Sequence, residues 1–210
     1  SLPTNRPEVA GDRVVRVLIG CEESQEVCKA FRAKGHEAYS CDLQESSGGH
    51  PEWHIQGDVF DAIAEGWDLI ILHPPCTALA VSGNAWYGVG MAKNALRFQA
   101  IEWTLKLLNH AKKNCERVVL ENPVGVLTKI IGKPQYVQPW MFGHAESKKT
   151  GLWVFGLKNL IATNNVYQEF KSLPKNVAQR LHYLPPSKDR AKLRSKTFPG
   201  IAAAMADQWG

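Results

Sequence analysis

The run Trp67-Asp68-Leu69-Ile70-Ile71-Leu72, with the tetrapeptide His73-Pro74-Pro75-Cys76 that ends it, constrains this chain most. Four consecutive aliphatic residues stopped by two prolines read as a buried parallel strand. The first proline holds its predecessor extended, and neither ring can donate to a ladder. A thiol is therefore presented at the carboxyl end of a strand, the edge at which open α/β sheets bind ligands.

The flanking sequence supplies the rest of such a sheet. Residues 13 to 19 (RVVRVLI) predict a strand, and residues 24 to 34 carry an apolar stripe at helical spacing that stops at Gly35. Residues 36 to 41 predict a second strand ending in Asp42, and 54 to 57 a short third before Asp58. After the central run come the longest helix, 91 to 114, and a fifth strand, 117 to 120, that delivers Glu121. This β-α-β-α alternation implies an α/β fold with a mostly parallel, doubly wound sheet. A length of 210 residues with 44% hydrophobic content suits one such domain. Further on, 135 to 138 and 152 to 155 predict strands, 158 to 196 is polar and proline-dotted, and 200 to 209 predicts a helix of small residues.

Net charge is +5, and the basic residues are unevenly placed: eight of them, Lys171, Lys175, Arg180, Lys188, Arg190, Lys192, Arg194 and Lys196, face one acid, Asp189, over residues 171 to 196. Such a stretch attracts a polyanion; the plain alternative is a solvated, lysine-rich loop. The five cysteines are an odd number without zinc-ligand spacing, which fits a reduced intracellular chain with no structural metal. No apolar run approaches membrane-spanning length, and the start, Ser1 to Pro7, is polar and proline-bearing, so a cytoplasmic protein without a signal peptide is expected.

Asp42, Asp58, Cys76 and Glu121 fall at strand ends on one edge. An acid after the second strand suits ribose hydroxyls, and one after the third can accept from an adenine amine; for each the alternative is a helix N-cap. The segment Gly20-Cys21-Glu22-Glu23-Ser24 is not a glycine-rich phosphate loop, and its two carboxylates would repel a pyrophosphate but not a sulfonium or amino group. That favours S-adenosylmethionine over a dinucleotide, with a capping cluster at a helix start as the alternative. For Cys76 the alternative is a buried thiol, for Glu121 a capping or salt-bridging carboxylate. His73 reads as a strand-end hydrogen-bond partner rather than an acid or base.

Pro74-Pro75-Cys76 with Val81-Ser82-Gly83 downstream, the later Glu121-Asn122-Pro123, and the acids at 42 and 58 together resemble the DNA cytosine-5 methyltransferases, in a short, phage-like form. The likeness covers about residues 14 to 160 and the last helix. It implies a Rossmann-like methyltransferase in which Cys76 is the nucleophile and Glu121 binds the target ring. It also implies S-adenosylmethionine held by Gly20, Cys21, Glu22, Glu23, Ser24, Asp42, Leu43, Asp58, Val59 and Pro74, with no metal. The amino-methyltransferases place an aromatic residue after the two prolines, so Cys76 argues for alkylation at carbon. The family's arginine-bearing strand resembles residues 147 to 156, with Lys149 nearest the first arginine. Lysine lacks the bidentate fork.

The resemblance divides the chain into a catalytic domain over 13–160, a reduced basic target-recognition segment over 161–196, and a C-terminal helix over 197–210 that packs back on the catalytic domain. A segment that small can grip phosphates through Lys188, Arg190, Lys192 and Arg194, yet reads few base pairs. Trp86, in the glycine-rich loop after Cys76, lies where the family closes over a flipped base. Duplex DNA is the expected partner, single-stranded DNA the alternative, and a monomer the expected state. Two other classes stay open: the same chemistry on a free pyrimidine nucleotide or single-stranded nucleic acid, and a non-catalytic DNA-binding relative.

Overall fold

The computed structural model describes residues 13–210; the polar start at Ser1 to Pro7 lies outside them. The elements run β1 (Arg16–Gly20), α1 (Glu26–Ala33), β2 (Glu37–Asp42), β3 (His54–Gln56), α2 (Val59–Ile63), β4 (Leu69–Leu72), α3 (Asn84–Tyr87), α4 (Asn94–Asn114), β5 (Val118–Pro123), α5 (Leu127–Ile131), β6 (Gln135–Val137), β7 (Thr150–Phe155), α6 (Tyr167–Ser172), α7 (Lys175–Ala178), α8 (Arg190–Ser195) and α9 (Pro199–Trp209). Seven strands among the described residues form one sheet in the order β3-β2-β1-β4-β5-β7-β6. The first five pair in parallel, and β7 and β6 add an antiparallel end. This is a Rossmann-like, doubly wound α/β fold, with the strand order reversing between β1 and β4.

Strand alternation sorts the core into two layers. Val17, Ile19, Leu69, Ile71, Val119 and Leu152 face α1 and α9; Leu18, Ile70, Leu72, Val118, Leu120 and Trp153 face α2 and α4. α1 brings Val27, Cys28 and Phe31 to the first layer, and α9 brings Ile201, Met205 and Trp209. Phe31 and Trp209 are fully buried, each contributing about 2 kcal/mol. Small residues such as Ala202 and Ala206 let α9 approach its neighbours closely.

β5 departs from the sequence expectation. It continues past Leu120 through Glu121, Asn122 and Pro123, because β7 lies antiparallel beside it with Glu121 opposite Leu152 and Pro123 opposite Thr150. Glu121 therefore sits inside a strand, not at its end. The unassigned stretch holds three short helices, α6, α7 and α8. Among the described residues no helix is long and apolar enough to cross a membrane.

Candidate active site

The strand order reverses between β1 and β4, and the carboxyl edge at such a reversal, flanked here by the loop after β1 and the loop after β4, is where sheets of this kind bind ligands. His73 N–H donates to the Gly20 carbonyl at 2.9 Å and ties the two loops together. A Cβ on Gly20 would stand 2.7 Å from Leu72 Cδ2 and 2.9 Å from Val59 Cγ2, so this strand end has room for glycine alone. Cys21 and Gln25 are both left-handed, at φ 62° and 61°, a conformation costly for side chains of their kind.

That turn aims Glu22 at the start of α1, where its two carboxylate oxygens accept from Val27 N and Cys28 N at 3.0 and 3.1 Å. The capping alternative holds for Glu22, and the backbone donors a phosphate would need are already taken. Burial raises the Glu22 pKa, against the opposing pull of His73 and those two donors. Glu23 is buried too. One of its oxygens accepts from Ser47 N at 3.2 Å, and the other, Oε1, has no hydrogen-bond partner among the described residues. The segment after β2 lies over this loop: Ser46 Oγ donates to the Glu23 carbonyl at 3.0 Å, and Gln25 Oε1 accepts from His50 N at 3.1 Å.

Asp42 Oδ1 accepts from Gln44 N at 2.9 Å, and Asp58 Oδ1 accepts from Phe60 N at 2.8 Å as the N-cap of α2. Each carboxylate keeps a second oxygen. Burial first and then Asp42, Cys41 and Asp58 push the Cys21 thiol up to about 12. The donor set fits S-adenosylmethionine: carboxylates at Asp42 and Asp58 for hydroxyl and amine groups, and the orphaned Glu23 oxygen for a cationic end. Two residues expected at this site stand elsewhere. The Val59 side chain is packed in the core between α2 and the sheet, and Leu43 is 76% exposed.

Cys76 is half-buried and opens a turn, its carbonyl accepting from Leu79 N and Ala80 N at 2.9 and 3.0 Å. This loop is strapped to the end of β5. Val81 N donates to the Val124 carbonyl at 3.0 Å, Val126 N donates to the Leu79 carbonyl at 2.9 Å, and Ala80 bridges Gly125 between them. Asn122 Nδ2 adds a bond to the Pro74 carbonyl at 3.2 Å. From the other side, buried Arg97 on α4 donates to the carbonyls of Ala78 and Ala80 at 2.7 and 3.1 Å.

Glu121 projects on the same sheet face as Val119 and forms an ion pair with His73 Nδ1. Burial would raise the Glu121 pKa, but the charge and hydrogen bond of His73, with Lys148, hold it below the usual carboxylate range. Burial pushes His73 down, and Glu121 and Glu22 more than offset this, leaving its pKa raised despite Lys148. Burial first and then the Glu121 charge raise the Cys76 thiol, while Lys148 and Arg194 pull it the other way.

Lys149 does not face this cluster. It is exposed, with its ammonium 4.5 Å from the Tyr136 ring centroid. Lys148 lines a small cavity of about 20 Å³ with Glu121, Thr150 and Leu152. The strand period of two is the reason: 148, 150 and 152 share a face, and 149 lies on the other. The cavity has room for about one water. His73 and Lys148 were both missed as members of the site; counting in twos back from Leu152 would have found Lys148.

Trp86 is 64% exposed on α3, its ring centroid 5.9 Å from the Lys93 ammonium. Lys188 and Lys192 are exposed and Arg190 is half-buried. Arg194 departs from the phosphate-gripping expectation, because its guanidinium is spent on the carbonyls of Leu181 and His182 at 2.9 and 3.2 Å. A larger cavity, of about 890 Å³, lies at the opposite edge of the sheet between Arg13, Lys34, Lys112 and Arg117. None of the site residues expected from the sequence lines it. Among the described residues no group of three or more His, Cys, Asp or Glu is placed to hold a metal ion.

No protein-family model and no curated protein matches the chain. Solved structures that it is similar to include the S. pombe Dnmt2 methyltransferase, at TM-score 0.46 and 16% identity, over 84% of this chain and 61% of that one. The bifunctional kinase-methyltransferase WbdD is similar at TM-score 0.44 and 14% identity, over 71% of this chain and 36% of that one. The chain spans less than two thirds of either.

Proposed function

We propose that this protein transfers a methyl group from S-adenosylmethionine to C5 of cytosine in DNA, through an adduct between the Cys76 sulfur and ring C6. The observation that carries this reading is the pairing of a thiol in the loop after β4 with a carboxylate on the adjacent strand, their loops strapped together at Leu79–Val81 and Val124–Val126. Cytosine C5 is too weak a nucleophile to take a methyl group until something adds at C6, and a thiolate is suited to that addition. Cys76 is the group that adds. Glu121, sharing a proton with the ring nitrogen, stabilises the charge that addition places there, and Lys148 sets its electrostatic environment.

When bound, S-adenosylmethionine supplies an electrophilic methyl on a sulfonium. Asp42, Asp58 and Glu23 are the residues that would hold its polar and cationic parts. Residues 161–196 serve as a reduced recognition segment, with Lys188, Arg190 and Lys192 on phosphates, so that binding depends on salt and sequence preference is short. In a duplex the target base must leave the stack, at a cost of a few kcal/mol. The protein acts as a monomer in this scheme.

The test is incubation with methyl-labelled S-adenosylmethionine and unmodified duplex DNA, followed by nucleoside analysis. Labelled 5-methylcytosine is expected. Cys76→Ser is expected to abolish it while leaving the melting temperature within about 2 °C, since the side chain is half-buried and a serine oxygen is a far weaker nucleophile. Label in single strands or free nucleotides alone moves the substrate; neither label nor cofactor binding overturns the reading.

A further inference from the structure

The reaction just described gives His73 no task, yet His73 stands where the two halves of the site meet. It follows β4 directly, with its side chain 9% exposed and that of Glu121 14% exposed. Glu121 meets its Nδ1 from β5, and Glu22 acts on it from the loop after β1. Lys148 acts on it from the stretch before β7, and Cys76 lies three residues along its own loop. Its second nitrogen, Nε2, is buried without a hydrogen-bond partner among the described residues. A histidine serving only as a strand-end hydrogen-bond partner has no need of a buried ion pair with a carboxylate on the next strand.

The adduct chemistry creates a need that Glu121 alone cannot meet. Sulfur addition at C6 drives the C5=C6 pair toward C4 and settles the C4=N3 pair on N3, which must then take a proton. Glu121, ion-paired in the resting protein, is a carboxylate and has none to give. We propose that His73 is the proton store of Glu121, lending it the proton that ring N3 takes on addition and recovering that proton when the adduct breaks down. The Nδ1–H bond of the imidazolium breaks and a Glu121 O–H bond forms; the Cys76 S–H proton passes to water, and the Glu121 O–H bond then breaks as N3–H and the S–C6 bond form. Once the C4=C5 pair has bonded the methyl carbon at C5 and the C4=N3 bond has re-formed, the C5 proton leaves to water, its pair re-forms C5=C6, and the S–C6 pair returns to sulfur. The N3 proton then retraces its path to Glu121 and His73. Neutralising Glu121 also removes a charge that opposes the Cys76 thiolate, so ring activation and nucleophile activation coincide.

This inference rests on the proposed methyl transfer. His73 touches neither ring nor cofactor and acts through Glu121 as a positioning, proton-holding residue. Two measurements test it. In protein carrying ¹⁵N-labelled histidine, both ring nitrogens of His73 are expected to stay protonated at pH 7, and Glu121→Gln is expected to lower the pH at which they lose the charge. A neutral His73 ring at pH 6 overturns the inference.

In the 5-methylcytosine assay, wild-type kcat is expected to fall on the alkaline side as His73 loses its proton. His73→Gln, checked by circular dichroism for a native fold, is expected to lower kcat at least about 100-fold with KM for DNA little changed and the alkaline fall abolished. His73→Asn serves in the same assay if the glutamine variant does not fold. An active wild type with an unchanged profile in the variant overturns the role of His73 alone. A wild type that makes no 5-methylcytosine overturns the methyl-transfer reading, and this inference with it.

Discussion

Lys148 and Lys149 are neighbours in sequence and strangers in space. One ammonium acts on Glu121, His73 and Cys76; the other rests over Tyr136. Lys148→Met is expected to lower methyl transfer about 10-fold, because the Cys76 thiolate loses a stabilising cation. Lys149→Met is expected to leave it within about twofold, by the same steady-state assay; equal losses in the two variants would contradict the assignment of faces. The place of Cys76 and Glu121 near one edge of the sheet was legible in the sequence, because each follows an aliphatic run and stands close to a proline. Lys148 was not, because a one-residue slip in register exchanges the two faces of a strand and nothing local fixes that register. His73 read as a structural partner because the second carboxylate beside it, Glu22, is 51 positions earlier in the chain.

The strap between the Cys76 loop and the end of β5 turns on Gly125. A Cβ there would lie 2.0 Å from the Leu79 carbonyl oxygen, a backbone atom that cannot swing aside. Gly125→Ala is expected to cost about 2 kcal/mol in denaturant unfolding and to lower kcat about 10- to 100-fold by displacing the nucleophile from its acid. Stability and rate both unchanged would mean that the strap does not set their geometry. Its partners lie 45 residues apart, so no periodicity announces it. The same holds for the far half of β5: Glu121, Asn122 and Pro123 become strand only because β7 arrives beside them. Elements defined by their own composition, such as β4, α1 and α4, were readable; those defined by a distant partner were not.

For the molecule as a whole, the alternation of strands and helices carried the doubly wound sheet, while the helices of the polar stretch had no long apolar stripe to betray them. The His73–Glu121 pair gives the fold a pH window. The depressed Glu121 value means stability that is present above the ordinary carboxylate range and lost as pH falls through its folded value. The raised His73 value means stability that is present below about pH 6.5 and lost as pH rises through its folded value. The melting temperature is therefore expected to be highest between these two limits, and Glu121→Gln, followed by calorimetry across pH, to flatten the profile at both ends. The strap has one more consequence. Under the proposed methyl transfer, the strap between the two loops works as a caliper that holds sulfur and carboxylate to two atoms of one ring, and the choice of ring would then reside in backbone and not in a side chain that one mutation could change.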